Sequence, residues 1–183
     1  LDVIELAVEP DHGAGLFTLQ GPTRHAGHGR PARADDIALL LHTSGTTSRP
    51  KLVPLLHRNL TASALAVGST LALDADDRCL GVMPLFHIHG LVASLLAPLA
   101  AGSSVVCAPD FSAASFFACL DAFGPTWYTA VPTMHQAILD HASEAGEIAA
   151  RSRLRFVRSS SAPLTETVRS GLEAVFRAPA IEA

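Results

Sequence analysis

Short apolar segments alternate with longer helical segments over most of this chain. The strand-like segments are IALLLH (37–42), CLGVMP (79–84), SVVCAP (104–109), TWYTAV (126–131) and LRFVRSS (154–160). Helical composition and apolar spacing mark residues 57–73, 89–102, 112–123, 132–146 and 165–178. This alternation predicts an α/β fold, with a mainly parallel sheet and flanking helices. It also predicts that IALLLH is buried on both faces and that the final residues, IEA, begin another strand.

The composition is that of a folded protein and excludes several classes. Hydrophobic residues make up 49% of the chain, charged residues 16%, and the net charge is -4. No apolar run reaches the roughly 18 residues that a membrane span requires. No basic stripe suggests nucleic acid. Cys79, Cys107 and Cys119 each have apolar neighbours, so we expect three buried thiols in a reducing, cytoplasmic compartment.

The chain divides into a lead-in and a regular part. Residues 9–36 are rich in Gly, Pro, His and Arg and are predicted to be surface loop. Residues 1–34 are therefore expected to be a loop-rich lead-in that belongs to the same domain as residues 35–183.

A cluster of small hydroxylated residues follows the first regular strand. The segment TSGTT (43–47) is followed by Lys51. At the carboxyl end of a strand, hydroxyls and successive N–H groups could surround phosphate oxygens, and the lysine would add a positive charge. The spacing does not fit the P-loop pattern G-x-x-x-x-G-K-[ST]. A Ser/Thr-rich turn with a solvated lysine remains the alternative.

Three motifs together resemble the adenylate-forming enzymes, which include acyl-CoA synthetases, luciferases and adenylation domains. TSGTTSRPK (43–51) matches their phosphate-loop signature, T-S-G-T-T-x-x-P-K. PLFHIHGL (84–91) resembles their acyl-pocket motif, P-x-F-H-x-x-G-L, and SSSAPL (159–164) stands where they have an adenine-contacting G-G-A-P-L loop. Together with FSAASF and WYTAVPT, these segments are most similar to the oxalate–CoA ligase branch.

The resemblance implies a fold and an activity. Residues 35–183 would be part of the large N-terminal, AMP-binding domain, without the C-terminal lid domain. The activity would be that of an ATP-dependent acid–CoA ligase. A small carboxylate, possibly oxalate, attacks the α-phosphorus of ATP, pyrophosphate leaves, and the acyl-adenylate is transferred to coenzyme A. ATP, Mg²⁺ and coenzyme A are therefore the implied cofactors and co-substrates.

The resemblance also assigns roles to residues. The pyrophosphate part of ATP would be held by Thr43, Ser44, Gly45, Thr46, Thr47 and Lys51. Adenine would be bordered by Ser160, Ser161, Ala162 and Pro163.

The acyl-pocket motif supplies the remaining candidates. His87 would lie beside the reacting carboxylate as the catalytic residue. A dicarboxylate needs further donors, for which His87, His89 and Ser159 are candidates. Arg158 is a weaker candidate, because strand alternation places it on the face opposite Ser159. His87 and His89 could instead be structural, or a pair of metal ligands. No third ligand is near in sequence, so no metal site is predicted.

Some family features are missing. Asp110 stands where relatives commonly have a lysine, which puts coenzyme A binding in doubt. The Y-G-x-T-E motif that contacts nucleotide and magnesium is absent, and Lys51 is the sole lysine. We therefore expect a piece of a longer ligase that is inactive alone. A non-catalytic nucleotide-binding remnant or regulatory module is the alternative.

The expected partners are a small-molecule carboxylate, ATP and coenzyme A, with no nucleic acid and no membrane. The oligomeric state is not indicated. The expected location is the cytoplasm, or the peroxisome if a further C-terminal segment carries an address.

Overall fold

The computed structural model of the chain describes residues 4–9, 16–22, 30–43, 51–108 and 110–183. Contacts divide the chain into two compact units, Leu1–Arg33 and Ala34–Ala183. Most of the predicted phosphate loop, residues 44–50, lies outside the described residues, and Thr43 is described only in its backbone.

The first unit contains one β-hairpin. Strand β1 (Glu5–Val8) pairs antiparallel with strand β2 (Phe17–Gln20), and Glu5 is opposite Gln20. The prediction of surface loop over residues 9–36 is therefore wrong at residues 17–20. Apolar and polar residues alternate in FTLQ, which suits a two-stranded ribbon.

The second unit begins with another hairpin. Strand β3 (Ile37–Thr43) pairs antiparallel with strand β4 (Lys51–Leu56), which the sequence pattern did not predict. The connection between them is too short for a parallel crossover, which needs a dozen or more residues. The prediction that IALLLH is buried on both faces is also wrong, because Ile37 and Leu40 are 59% and 53% exposed.

A parallel sheet of five strands is the centre of the second unit. Its order is β6-β5-β7-β8-β9, and every neighbouring pair is parallel. The strands are β5 (Arg78–Gly81), β6 (Ser104–Cys107), β7 (Trp127–Ala130), β8 (Phe156–Ser159) and β9 (Ala180–Glu182). The predicted α/β fold with a mainly parallel sheet is confirmed, and so is the strand expected at IEA.

Helices connect these strands, with departures from the prediction at residues 89–96, 142–144 and 146–150. The α-helices are α1 (His57–Thr70), α2 (Ala97–Ala100), α3 (Ala113–Phe123), α4 (Pro132–His141), α5 (Gly146–Ala150) and α6 (Glu166–Phe176). The helix predicted at 89–102 begins as a π-helix, His89–Leu96, which continues into α2. The helix predicted at 132–146 stops at His141, where the Glu144 N–H bonds to the His141 carbonyl in a tighter turn.

The two faces of the sheet follow from strand alternation. Leu80, Tyr128 and Val157 point to one face, where they join a core with Phe116 and Leu172 of the helices. Their neighbours Cys79, Trp127 and Phe156 point to the other face and pack with Leu71 after α1. Each successive residue of a strand therefore changes sides, as a pleated strand requires.

A buried carboxylate aligns the amino ends of the central strands. Asp77 is 3% exposed and accepts hydrogen bonds from Thr126 Oγ1 (2.7 Å) and from Arg155 Nε and Nη2 (3.0 and 2.6 Å). Burial alone would raise the pKa of Asp77, but the bonds from Arg155 and Thr126 lower it overall. Arg155 also donates to the carbonyls of Leu71 and Ala72. This cluster therefore connects β5, β7 and β8 at their starts.

The cysteines and helices settle two further points. Cys79 and Cys119 are buried, but Cys107 is exposed, so the prediction of three buried thiols is wrong for Cys107. Cys107 ends β6, which is an edge strand.

Within the described ranges, no helix is both long and apolar enough to span a membrane.

We predict that Asp77→Asn lowers the free energy of unfolding by about 1.5–3 kcal/mol, because it weakens charge-assisted hydrogen bonds at a buried site. Asp121→Asn is the matched control. Asp121 meets Arg151 at the same 2.6 Å, but their side chains are 45% and 61% exposed. Exposed pairs contribute about 0–1 kcal/mol. Urea unfolding of the chain measures both changes, and equal losses would contradict the role of Asp77.

Candidate functional site

The candidate site lies where the sheet changes its direction of winding. After β5 the chain adds β6 on one side, and then adds β7, β8 and β9 on the other. In open α/β sheets, ligands bind outside the carboxyl ends of the strands at such a switch point. Here the switch point is between β5 and β7, and the acyl-pocket motif follows β5 directly.

Four side chains from three segments meet at this point. His89 begins the π-helix after β5, Thr129 is in β7, Arg158 is in β8, and Ser161 follows β8. The Nε2 atom of His89 lies 2.7 Å from Thr129 Oγ1 and 3.3 Å from Arg158 Nη1. The Nδ1 atom of His89 lies 3.2 Å from Ser161 Oγ, and Arg158 Nη1 donates to Thr129 Oγ1 at 3.0 Å. We call these four residues the His89 cluster.

Strand alternation explains why Arg158 reaches His89. Thr129 and Arg158 are paired in the register of β7 and β8. Each lies two residues beyond a side chain, Trp127 or Phe156, that packs on the face of the sheet near α1. The π-helix contacts β5 and β7, and so it brings His89 to this pair.

The hydrogen-bond partners determine the tautomer of His89. An arginine nitrogen can only donate, so the contact with Arg158 requires an unprotonated Nε2. Thr129 accepts from Arg158 and can then donate its own hydroxyl hydrogen to Nε2. The imidazole hydrogen is therefore on Nδ1, where Ser161 Oγ accepts it.

Electrostatics favour the same neutral form. Burial lowers the pKa of His89 from 6.5 to about 4, and the positive charge of Arg158 and the charge that His135 would carry if protonated act in the same direction. His135, behind the cluster, is fully buried beside Tyr128, with 3.1 Å between Nδ1 and the tyrosine oxygen. Burial lowers its pKa to about 4 as well. Both imidazoles are therefore uncharged at neutral pH.

Gly90 allows the acyl-pocket motif to fold onto itself. A methyl group at Gly90 would overlap the carbonyl oxygen of Pro84 and approach that of Met83 to 2.9 Å. Only glycine permits this close approach of backbone to backbone. In the same π-helix, Ser94 Oγ donates to the Gly90 carbonyl at 2.6 Å. π-Helical turns are rare in proteins, and those that occur often lie at functional sites.

Ser161 has an uncommon backbone conformation. Its φ is +77°, in the left-handed region that favours glycine. The adenine-loop motif of the family has glycine here, so the serine accepts a backbone cost that glycine avoids. Its hydroxyl holds Nδ1 of His89, a bond that glycine could not make.

The other described candidate residues take no part in the contacts of this cluster. His87 is exposed, with its ring centroid 4.5 Å from that of Phe86. Ala162 and Pro163 are exposed beyond β8, and Ser160 donates its N–H to the Ala130 carbonyl. Lys51 is exposed and paired with Thr43 across the hairpin, at the end of residues 44–50.

Two members of the cluster were missed or undervalued from the sequence. Thr129 was not predicted, although a polar residue within the buried strand WYTA was a signal. Arg158 was ranked below Ser159, yet Arg158 meets His89. Ser159 is buried on the opposite face, and its hydroxyl has no hydrogen-bond partner among the described residues.

A cavity of about 450 Å³ opens beside the carboxyl ends of β5 and β6. Its lining is mainly apolar and includes Met83, Phe86 and Phe111. Asp110, which replaces the lysine expected from the resemblance, also lines it. A negatively charged ligand would therefore meet a carboxylate at this wall.

His87 and His89 of the acyl-pocket motif are not joined by a third metal-ligating side chain among the described residues. Within the part of the chain that the structure describes, no three His, Cys, Asp or Glu side chains lie together as a ligand set.

The fold and this site define a ligand-binding α/β domain with its polar groups at a topological switch point. Residues 5–183 match the family described as AMP-binding enzymes. The chain belongs to this family of adenylate-forming enzymes, as its three motifs predicted.

Individual relatives refine the likeness. An oxalate–CoA ligase of Arabidopsis thaliana is 48% identical over 151 residues, which are 81% of this chain and 29% of that protein. A sulfoacetate–CoA ligase of Cupriavidus necator is 39% identical over 182 residues, 100% of this chain and 35% of that protein. The predicted similarity to oxalate–CoA ligases is thus confirmed.

A solved structure supports the same relationship. A malonyl-CoA ligase, in a ternary product complex with methylmalonyl-CoA and AMP, superimposes with a TM-score of 0.76 and 32% identity. The match covers 87% of this chain and 35% of that one. The chain therefore spans about a third of the length of these relatives.

We predict that Gly90→Ala lowers the free energy of unfolding by about 1–3 kcal/mol, because the added methyl group forces the Pro84 carbonyl away. Gly146→Ala is the matched control, since no atom lies within 4 Å of the added methyl group there. Thermal or urea unfolding of both variants measures the difference. An unaffected Gly90→Ala variant would contradict the close approach.

The two neutral histidines predict a pH dependence of stability. A histidine whose folded pKa is lowered binds its proton more tightly in the unfolded state. Its stabilising contribution is complete above pH 6.5 and is lost as the pH falls towards about 4. We therefore expect the free energy of unfolding to decrease with falling pH across this window.

Variants separate these histidines from other titrating groups. Replacing His89 or His135 by glutamine should reduce the slope of stability against pH in this window, whereas His57→Gln, at an exposed position, should not. Urea unfolding at several pH values measures the slopes. Equal slopes in all three variants would show that neither buried histidine is responsible.

Proposed function

We propose that the protein carrying this chain is an ATP-dependent acid–CoA ligase that activates a small carboxylate, with oxalate as the candidate. The carboxylate would attack the α-phosphorus of ATP and release pyrophosphate. The thiol of coenzyme A would then attack the acyl carbon and release AMP.

One observation carries this proposal. His89 of the acyl-pocket motif and Ser161 of the adenine loop are 72 residues apart in the chain and are joined by a hydrogen bond of 3.2 Å. Attack of the carboxylate on the α-phosphorus requires the acid and the nucleotide to be held side by side. Contact between these two motifs at the switch point supports that arrangement, since orientation accounts for much of the rate in such reactions.

The residues of this chain would then have distinct tasks. Residues 43–47 and Lys51 would hold the β- and γ-phosphates, and residues 160–163 would border adenine. His87, exposed on the acyl-pocket loop, would contact the reacting carboxylate. His89 is neutral and bonded on both nitrogens, so it would orient neighbouring groups and not transfer protons.

The names of the relatives support a small acidic substrate. Oxalate and sulfoacetate, named for two of them, are short carboxylates that carry a second acidic group. Malonyl-CoA ligase carries the same feature in its product name. We therefore favour oxalate or a similar short acid over a long-chain fatty acid.

We further propose that the 183-residue chain alone does not complete the reaction. Lys51 is its sole lysine and is assigned here to the pyrophosphate part of ATP. A non-catalytic nucleotide-binding module is the alternative function, and the assay below distinguishes the two.

The proposal predicts that Lys51→Ala or Thr46→Ala in the complete protein lowers kcat/KM for ATP. Each removes a hydrogen bond to a charged phosphate, which corresponds to about 10–100-fold. Oxalate-dependent pyrophosphate release at limiting ATP measures the loss. Unfolding stability should change little for Lys51→Ala, because that side chain is exposed.

Arg58→Ala removes another exposed cation of the same region and is the matched control, expected to keep wild-type turnover. Wild-type turnover by both Lys51→Ala and Thr46→Ala would overturn the phosphate assignment. Nucleotide binding without pyrophosphate release on any small carboxylate would favour the non-catalytic module.

A further inference from the structure

Arg158 is a buried cation with no carboxylate partner among the residues that the structure describes. It is 9% exposed, and among the described residues no Asp or Glu side chain forms an ion pair with it. The acid on the neighbouring strand, Glu182, is engaged by Arg169 and by the Leu164 N–H. A buried charge without a counter-charge destabilises the folded protein unless another group compensates it.

The hydrogen bonds that Arg158 forms with described residues leave part of its guanidinium available. Its Nη1 atom contacts Thr129 Oγ1 and His89 Nε2. A guanidinium carries five N–H groups, so the hydrogens on Nε and Nη2 are not accounted for by these bonds. That edge of a guanidinium matches the two oxygens of a carboxylate.

The location also points to a substrate. Arg158 lies at the carboxyl edge of the sheet, beside the switch point, and in contact with the acyl-pocket histidine. Because His89 accepts at Nε2 and is uncharged, it holds the guanidinium in place without repelling it. Thr129 Oγ1 accepts a hydrogen bond from Nη1 of Arg158 and so helps to hold the same nitrogen in place.

We propose that Arg158 recognises the second, non-reacting anionic group of the substrate and so selects short carboxylates that carry another carboxylate or a sulfonate. This inference rests on the proposed function and deepens it. Arg158 is then a specificity-determining residue, and Thr129 and His89 are positioning residues that aim its free edge.

Oxamate provides the matched substrate for a test. It has the shape of oxalate, but an amide replaces one carboxylate, so the ratio of kcat/KM for the two acids reports on the second charge. In the complete protein, Arg158→Gln should lower this ratio by about 10–100-fold, the effect of one charge-assisted pair. The loss should appear in the KM for oxalate and leave the KM for ATP unchanged.

Two variants complete the design. Arg158→Lys keeps the charge and should retain most of the preference for oxalate. Arg153→Gln removes an exposed arginine of the preceding segment and should leave the ratio unchanged. Sulfoacetate, with methoxyacetate as its singly charged counterpart, repeats the test for a sulfonate.

The outcomes separate this inference from the proposed function. If the wild type turns over oxalate and Arg158→Gln keeps the wild-type ratio, the role of Arg158 is overturned while the ligase activity stands. If none of the tested carboxylates causes the wild type to release pyrophosphate, the proposed function fails.

Direct binding decides the inference when turnover cannot. Calorimetry on the wild-type protein compares its affinities for oxalate and for oxamate. This measurement does not require Arg158→Gln to fold. Tighter binding of oxalate by at least about 10-fold supports a cationic receptor. Equal affinities overturn it.

Discussion

The alignment of the central strands depends on Asp77, a buried carboxylate that must find hydrogen-bond donors. It finds them in Thr126 and Arg155, which precede β7 and β8. Once the amino ends of β5, β7 and β8 are aligned, the parallel register sets which residues stand side by side at the other end. Thr129 is thereby brought next to Arg158, three residues along the strands from Thr126 and Arg155.

The opposite end of the sheet combines backbone constraints with polar chemistry. Gly90 permits a close approach that no other residue could make, and Ser161 adopts a conformation more natural for glycine. Both features bring separate segments to His89. Such local costs are typical of functional sites, where surrounding structure holds a residue in a less favourable state.

The positive charge of Arg158 has only uncharged groups around it among the described residues of the site. The neutral imidazole of His89 and the hydroxyl of Thr129 surround the guanidinium of Arg158, and no described carboxylate neutralises it. An anion entering this space would replace its water by fixed donors, which interact more strongly where water is excluded. Asp110, on the cavity beside β6, has the opposite charge, so the two parts of this edge suit different ligand groups.

The sequence by itself determined the fold class, the family and the approximate positions of most elements. Helix and strand periodicities depend on local residue order, and the motifs around residues 43–51, 84–91 and 159–164 are contiguous. It did not determine the pairing of β3 with β4, the exposure of Cys107 at an edge strand, or the π-helix at His89. These depend on which strands become neighbours and how chain segments pack.

The tertiary structure alone decided the composition of the site. Strand alternation correctly places Arg158 and Ser159 on opposite sides of the sheet. Only the position of the π-helix shows that Arg158, and not Ser159, lies beside His89. The sequence of the strand that contains Thr129 predicts a buried core strand. Thr129 becomes part of the site because its partner in the strand register is Arg158. Contacts between residues that are 40 to 72 positions apart result from the assembled sheet, and no local pattern encodes them.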